Sequence, residues 1–201
     1  MCIRDRLIAV RLDGDDELIG VQLTDGEEDL LLVSARGQAA RFSEDQCRPM
    51  GRDTRGVRGM NLDPGDRVLA LAVARDDEDL LVVTGYGYGK RTPMLDYPRK
   101  GRPTKGVRTI KVTDAKGELV AARPVREGYQ LLLVSRMGKL IRFETSSVRR
   151  TGRSTEGVRL MGIDDDDMVC GVAEAGETPV DDVDEAVLDA DESDEGTVEE
   201  A

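Results

Sequence analysis

The most regular chemical feature of the sequence is an arginine-bearing motif that occurs three times. Gly-Arg-x-Thr-x-Gly-Val-Arg is found at 51–58, 101–108 and 152–159, and six of its eight positions are identical in all three copies. A guanidinium group is permanently charged, and its planar set of donors suits phosphate and carboxylate oxygens. The motif therefore indicates repeated binding of anionic groups rather than bond-making chemistry.

The residue types that common catalytic sites require are missing. The 201 residues include no histidine, which excludes His-based acid–base catalysis, His-activated nucleophiles and His-containing metal sites. Cys2, Cys47 and Cys170 form no C-x-x-C pair, so neither a disulfide framework nor a zinc site is predicted. We expect no cofactor, no metal and no small-molecule substrate. The apolar runs have the length of strands, so we also expect no membrane span.

The net charge of −12 conceals a strong segregation of charge along the chain. Residues 164–201 carry 17 acidic and no basic side chains, whereas residues 1–163 carry 29 basic and 24 acidic ones. Within that first part, the corresponding stretches 36–58, 86–111 and 136–159 hold 21 of the 29 basic residues and only 6 acidic ones. One half of every repeat is therefore basic, and a nucleic-acid partner is compatible with an acidic chain.

The elements that carry the motif repeat with the same period. The apolar runs 30–33, 80–83 and 131–134 start 50 and 51 residues apart. In the first copy the pattern predicts four strands, at 29–34, 38–42, 56–62 and 68–73. Gly37, Gly87 and Gly138 stand between the first two strands, where a tight hairpin requires a residue that accepts a positive φ. A four-strand unit of this length has the size of one propeller blade, so the fold class is all-β.

The repeat also sets the expected domain boundaries. Three complete four-stranded blades are predicted near 24–73, 74–125 and 126–175, preceded by part of another blade at 7–23. Residues 1–6 match nothing in the repeat, and we expect them to be foreign to the fold. Residues 176–201 have too few large apolar side chains to offset the entropy of ordering, so we expect a disordered acidic tail.

If the blades stack radially, equivalent arginines form three columns of cations along one rim. The columns are Arg41, Arg91 and Arg142 on the second strand, Arg52, Arg102 and Arg153 in the loop (the loop column), and Arg58, Arg108 and Arg159 at the start of the third strand. Duplex DNA is the obvious anion, because neutralising its phosphates releases counterions and needs no base reading. For any single arginine, pairing with a rim carboxylate is the alternative, and for Arg58, Arg108 and Arg159 the two roles are equally expected. The candidate DNA-binding residues are Arg41, Arg52, Arg55, Arg58, Lys90, Arg91, Lys100, Arg102, Lys105, Arg108, Lys139, Arg142, Arg149, Arg150, Arg153 and Arg159.

These motifs, together with Tyr-Gly-Lys-Arg-Thr at 88–92 and Asp-Asp-Glu-Leu-Ile-Gly-Val at 15–21, resemble the C-terminal domain of bacterial DNA gyrase A. The resemblance covers about residues 7–175. It implies a six-bladed β-pinwheel, a propeller-like disc whose neighbouring blades exchange strands and whose perimeter wraps DNA. Only part of such a disc is present. The resemblance also implies that this wrapping supports ATP-dependent negative supercoiling by a holoenzyme that is a type II topoisomerase.

The resemblance further implies that the partners are duplex DNA, the remainder of gyrase A, and gyrase B, in the bacterial cytoplasm on the chromosome. The basic gyrase box of the family's first blade and the Arg-Tyr pair of its cleavage domain have no counterpart here, and the family's ATPase lies in gyrase B. We therefore expect this chain to be inactive as an enzyme by itself. Two alternatives stay open: a propeller-type protein-interaction module, and the corresponding domain of topoisomerase IV.

Overall fold

Short antiparallel strands form almost all of the regular structure. The structure, a computed structural model, describes residues 9–177. The strands are β1 (Asp29–Ser34), β2 (Gln38–Ser43), β3 (Val68–Val73), β4 (Asp79–Thr84), β5 (Tyr88–Pro93), β6 (Val107–Arg108), β7 (Leu119–Val125), β8 (Tyr129–Ser135), β9 (Leu140–Glu144), β10 (Val158–Arg159) and β11 (Val169–Glu177). One-turn 3-10 helices at Glu44–Gln46, Met94–Asp96 and Thr145–Ser147 follow β2, β5 and β9. In this part of the chain no helix is long and apolar enough to span a bilayer.

Each repeat opens with a hairpin whose turn depends on a glycine. Gly37, Gly87 and Gly138 have φ angles of 82°, 77° and 86°. These values lie in the left-handed region, where a side chain on an L residue is strained. The predicted hairpin glycines are therefore confirmed in all three copies.

Within residues 9–177 the strands form two four-stranded sheets and one three-stranded sheet, with the orders β3-β1-β2-β6, β10-β5-β4-β7 and β11-β8-β9. In the first sheet β6 comes from the following repeat and pairs with β2, so that Val107 lies opposite Ala39. In the second sheet β10 pairs with β5 in the same way, and Val158 lies opposite Gly89. The expectation of an all-β pinwheel with strand exchange between blades is confirmed.

Within residues 9–177, two blades are four-stranded rather than the expected three. These two receive a fourth strand from the following repeat, whereas the third blade contains β8, β9 and β11 in this part of the chain. Residues 56–62, predicted as a strand of the first blade, form a single isolated bridge between Met60 and Thr104. Strand exchange explains this difference, because that segment would complete a preceding blade whose first two strands are not among the described residues.

The preceding partial blade was predicted at 7–23, and residues 9–23 form no strand. Leu18 and Leu23 are 60% and 95% exposed, since the strands against which they would pack are not in the described part of the chain. Nevertheless Arg11 keeps a contact of the repeat, because its backbone N–H donates to the carbonyl of Thr54. Residues 1–6, expected to be foreign to the fold, and residues 178–201 of the expected tail lie outside the described residues. Gly176 and Glu177, which the sequence placed in that tail, belong to β11.

The hydrophobic core lies between neighbouring blades. Every residue of β4 is buried, and its two faces serve two separate apolar clusters. Leu80 packs in a cluster with Leu31 of β1, and Leu81 packs in a second cluster with Leu131 of β8. Burying an aliphatic side chain of this size contributes about 1.5–3 kcal/mol. The blades are therefore fixed against one another, and so are the loops that they carry.

Candidate nucleic-acid interface

The three motif loops attach to the protein at equivalent points. In each loop the carbonyl of the motif threonine accepts a hydrogen bond from a backbone N–H of the preceding repeat. The three pairs are Arg11 with Thr54 at 3.2 Å, Asn61 with Thr104 at 2.9 Å and Lys111 with Thr155 at 3.3 Å. The donors are spaced by 50 residues, so the loops follow one another around the blades in the same orientation.

Arg102 of the second loop contacts the end of the first motif. Its Nε donates to the carbonyl of Gln46 at 2.6 Å, and its Nη1 donates to the carbonyl of Arg58 at 3.2 Å. The Arg102 side chain forms no ion pair with any residue in 9–177, so its positive charge is not neutralised by a described carboxylate. The half-buried guanidinium is held by carbonyl groups and lies beside the backbone of Arg58.

Arg153 of the third loop stands at the same motif position one repeat later. It lines a groove of about 350 Å³ together with Val107, Arg108 and Ser154. A loop arginine thus contacts the backbone of Arg58 at the first place and shares a groove with Arg108 at the second. Two of the three predicted columns, that of Arg52, Arg102 and Arg153 and that of Arg58, Arg108 and Arg159, therefore meet at these two places.

Most of the predicted cations are accessible. Those that are exposed and form no ion pair with another described residue are Arg52, Arg58, Lys100, Arg108, Arg142, Arg149 and Arg159. Arg159 stacks on the ring of Tyr88 at 5.4 Å from the ring centroid and donates to its hydroxyl, which orients the guanidinium. The charges of these seven cations are available to an external anion.

Four other predicted cations are exposed but paired with a carboxylate. These pairs are Arg55 with Asp13, Lys105 with Asp63, Lys139 with Asp164 and Arg150 with Asp79. An ion pair at the surface contributes only about 0–1 kcal/mol, so the first three cations can exchange their partner for a phosphate. Arg150 differs, because the side chain of Asp79 is only 7% exposed and anchors it.

Arg41 and Arg91 were predicted to contact DNA, and the structure assigns them to the scaffold instead. The Arg41 side chain is 10% exposed and pairs with Asp29 at 2.8 Å and with Asp76 at 2.7 Å. The Arg91 side chain is 9% exposed and pairs with Asp79 and Glu127. These carboxylates neutralise the charges of Arg41 and Arg91, so neither guanidinium is available to a phosphate. Both arginines therefore lie outside the candidate interface.

Lys90 was also predicted as a DNA contact, and its side chain is completely buried. Its Nζ donates to the carbonyls of Gly152 and Arg153, each at 2.7 Å, and to the hydroxyl of Thr155. Burial, followed by the nearby charge of Arg153, lowers the pKa of Lys90 to about 8. Lys90 therefore holds the third loop in place from below. The repeat carried a signal for this role, since the equivalent residues Ala40 and Ile141 are apolar.

A comparison with known protein families identifies this architecture. The family model described as the DNA gyrase C-terminal domain, beta-propeller, matches residues 7–25, 28–75, 78–126 and 129–173. The chain belongs to this family.

Curated relatives of this gyrase C-terminal domain are DNA gyrase A proteins. The chain is 42% identical to that of Salmonella typhimurium over 191 residues, which is 92% of this chain and 22% of the relative. It is 43% identical to that of Mycolicibacterium smegmatis over 195 residues, which is 96% of this chain and 23% of the relative. The chain thus spans about a fifth of the length of the curated relatives that it matches.

Solved structures share the fold of this gyrase C-terminal domain. A structure of the DNA gyrase A C-terminal domain superposes with a TM-score of 0.78 at 28% identity, covering 84% of this chain and 57% of that one. The C-terminal domain of DNA topoisomerase IV superposes with a TM-score of 0.79 at 24% identity, covering 84% of this chain and 53% of that one, and this likeness concerns the fold alone.

One charged residue of the third loop of this gyrase C-terminal domain was not anticipated from the sequence. Glu156 pairs with Lys111 and Lys116, each at 2.9 Å, and hydrogen bonds from these two lysines lower its pKa to about 2. The other two loops carry Arg55 and Lys105 at the same position. The third loop is therefore less positive than its neighbours. The sequence signal for this difference is the fifth position of the motif, which varies among the three copies.

Proposed function

We propose that this chain is a noncatalytic module that binds and wraps duplex DNA without regard to sequence. The contact surface is a cationic track, defined as Arg52, Arg58, Arg102, Arg108, Arg153 and Arg159. The observation that carries the proposal is the interleaving of loop and end-of-motif arginines: Arg102 lies beside Arg58, and Arg153 shares a groove with Arg108. Phosphate contacts from such a series release counterions, which drives association without any reading of the bases.

Wrapping follows from the repetition of the contacts at successive blades. Bending a site of about 20–30 bp by about 40–90° costs about 1–6 kcal/mol. A single loop could not offset that energy, but a track that offers the same cations at each blade adds phosphate contacts as the bend proceeds. No cofactor, metal or small-molecule substrate has a part in this mechanism, since the charges that meet the phosphates belong to the protein.

In its biological setting, we propose that the module acts as part of DNA gyrase A, together with the rest of that polypeptide and with gyrase B in the bacterial cytoplasm. Membership of the family and the relatedness to gyrase A proteins support this assignment. The module would hold DNA in a curved path while the holoenzyme uses ATP to introduce negative supercoils.

The test is the salt dependence of binding to a labelled duplex between about 50 and 200 mM salt. In the variant that combines Arg52→Gln, Arg102→Gln and Arg153→Gln, we expect the slope of log affinity against log salt to shrink by about 3, since each phosphate contact contributes about 0.9. The loss should be the same on duplexes of unrelated sequence.

The matched control combines Arg36→Gln, Arg67→Gln and Arg75→Gln, which removes the same charge. These three exposed arginines lie outside the track and are paired with Glu118, Glu118 and Glu28. Circular dichroism melting establishes that both triple variants are folded. An unchanged slope in a folded track variant, or equal losses in the two triple variants, would contradict the proposal.

A further inference from the structure

Neighbouring blades meet at two joints within residues 9–177, the first joint between the first and second blades and the second joint between the second and third. At each joint the chain that leads into a motif loop is bonded to the hairpin of the preceding blade. The backbone N–H of Lys100 donates to the carbonyl of Arg41 at 2.8 Å, and that of Thr151 donates to the carbonyl of Arg91 at 2.9 Å. The second and third loops therefore leave the preceding blade from equivalent points.

Beyond this point the second loop has little to pack against. Gly101 and Pro103 are exposed, and no described atom lies within 4 Å of a Cβ built on Gly101. A surface segment with few packing contacts keeps much of its conformational freedom unless hydrogen bonds hold it. The direction of Arg102, which lies between these two residues, is therefore set mainly by hydrogen bonds.

Gln46 provides those hydrogen bonds from the first blade. It is half-buried and ends the 3-10 helix Glu44–Gln46. Its side-chain Oε1 accepts from the backbone N–H of Arg102 at 2.8 Å, and its Nε2 donates to the carbonyl of Lys100 at 3.4 Å. Its own carbonyl accepts from Nε and Nη2 of the Arg102 side chain. One residue thus holds both the backbone on either side of Gly101 and the guanidinium of Arg102.

The guanidinium of Arg102 keeps two N–H groups for an external anion. Of its five donors, Nε–H and one N–H on each terminal nitrogen are engaged by the carbonyls of Gln46 and Arg58. The second N–H on each terminal nitrogen has no hydrogen-bond partner among the described residues. Two such N–H groups can bind two oxygens of one phosphate. The contacts with Gln46 therefore fix the direction from which Arg102 can meet a phosphate.

The third loop is held at the same place by a different side chain. Lys90 donates to the carbonyls of Gly152 and Arg153, the first two residues of that motif. In the first blade Ala40 stands at the position of Lys90 and has no side-chain donor. Gln46 at the first joint thus takes the part that Lys90 takes at the second.

We propose that Gln46 is a positioning residue for DNA binding, which from the first blade orients Arg102 of the second blade toward a phosphate group. This inference rests on the proposed function. Gln46 is uncharged, and both polar groups of its side chain are bonded to the loop backbone, so it acts through Arg102. Its removal should therefore weaken DNA binding only while Arg102 is present.

The experiment is a double-mutant cycle on duplex affinity, with the full 201-residue chain at about 50 mM salt. Gln46→Met keeps the length of the side chain and removes both amide contacts. In the wild-type background we expect affinity to fall about three- to tenfold, as for the loss of a hydrogen bond. In the Arg102→Gln background the same change should alter affinity by less than about twofold. A purely structural role would give the same loss in both backgrounds.

Gln46→Ser is the second variant, because the third blade has Ser147 at this position and the repeat tolerates serine there. A hydroxyl group is too short to replace the amide, so the same loss is expected, and this variant decides if Gln46→Met does not fold. The matched control is Gln22→Met, which removes an amide that donates to the carbonyl of Leu71 outside the loops. Its affinity should stay within about twofold of the wild type. Urea unfolding establishes which variants are folded.

Wild-type affinity in a folded Gln46 variant, or an equal loss with and without Arg102, would overturn this inference and leave the proposed function standing. An unchanged salt slope in the track triple variant would overturn the proposed function, and this inference with it.

Discussion

The guanidinium of Arg99 reaches back to the preceding blade and pairs with the carboxylate of Asp29 at 2.8 Å. Asp29 also pairs with Arg41 of its own blade, so one nearly buried carboxylate is shared by two neighbouring blades. Asp79 is shared by Arg91 and Arg150 in the same way. We call each of these shared carboxylates an interlock. Within residues 9–177 interlocks are found at the two blades that are followed by another blade.

The third blade has no such shared carboxylate within residues 9–177. Gln130 stands where the other two blades have Asp29 and Asp79, and the equivalent arginine, Arg142, is exposed and forms no ion pair within 9–177. An aspartate thus occupies this position in the first and second blades, where it pairs with one arginine of its own blade and one of the following blade.

Removal of one shared carboxylate should destabilise the domain strongly. In Asp79→Asn, Arg91 and Arg150 lose a partner whose side chain is 7% exposed, and Arg91 is itself buried. Breaking a buried pair on one side costs about 3–5 kcal/mol, and the remaining contact of Arg91 with Glu127 places the expected loss near the lower value. The measurement is the free energy of unfolding in urea.

Glu127→Gln is the control for that variant, because Glu127 binds the same arginine from a side chain that is 64% exposed. An exposed ion pair contributes about 0–1 kcal/mol, so this variant should lose less than about 1 kcal/mol. Equal losses in the two variants would show that the buried carboxylate has no special part in joining the blades.

The hairpin glycines offer a matched pair that separates backbone strain from contact between blades. An alanine at Gly37 or at Gly138 bears the same positive φ, at about 1 kcal/mol each. At Gly37 the new Cβ also meets the carbonyl of Ile110 at 2.8 Å, whereas at Gly138 it meets nothing described. We expect Gly37→Ala to lose about 1–3 kcal/mol more than Gly138→Ala in chemical denaturation. Similar losses would mean that the first joint yields to the extra methyl group.

The repeat predicted β1 and β3 to the residue, because alternation of apolar side chains and the turn glycines are local signals. It did not predict which sheet each third segment joins. A periodic sequence fixes equivalent positions, but the partner of a strand depends on contacts with another repeat. Residues 56–62 were therefore expected in a blade to which they do not belong.

The same limit applies to the arginine columns. In the sequence Arg41 and Arg58 carry the same signal, since each recurs in all three repeats. Folding places Asp29 and Asp76 against Arg41, whereas Arg58 stays exposed. For the loop column the low acid content of the loops is a local signal, and none of its arginines forms an ion pair with a described residue. Contact of this column with DNA stays a prediction.

Lys90 should make stability depend on pH in a narrow window. Its pKa is about 8 in the folded protein against 10.5 for an ordinary lysine, so between these values the unfolded chain binds a proton that the folded chain lacks. The free energy of unfolding should therefore rise with pH, by at most about 1.4 kcal/mol per pH unit. Burial raises the pKa of Tyr97 to about 12, so its ordinary ionisation near 10 in the unfolded chain lowers stability above that pH.

The check is a comparison of urea unfolding for the wild type and Lys90→Met between pH 8 and pH 10. The wild type should gain stability relative to the variant as pH rises, because methionine keeps the volume of the side chain and has no proton to lose. Parallel curves for the two proteins would show that Lys90 stays charged in its contacts with the third loop.

Glu156 should weaken DNA binding at the third loop if the proposed track is correct. Glu156→Gln leaves Lys111 and Lys116 without their carboxylate, so both become available to phosphate. We expect tighter duplex binding at low salt and a salt slope larger by about 0.9 for each lysine that reaches a phosphate. Since the pKa of Glu156 is about 2, the effect should be constant from pH 5 to pH 8.

The control for this variant is Glu144→Gln, which removes the same charge from an exposed acid of the same repeat that forms no ion pair with a described residue. If this control tightened binding equally, the gain would reflect net charge alone, and Glu156 would have no specific place on the DNA path.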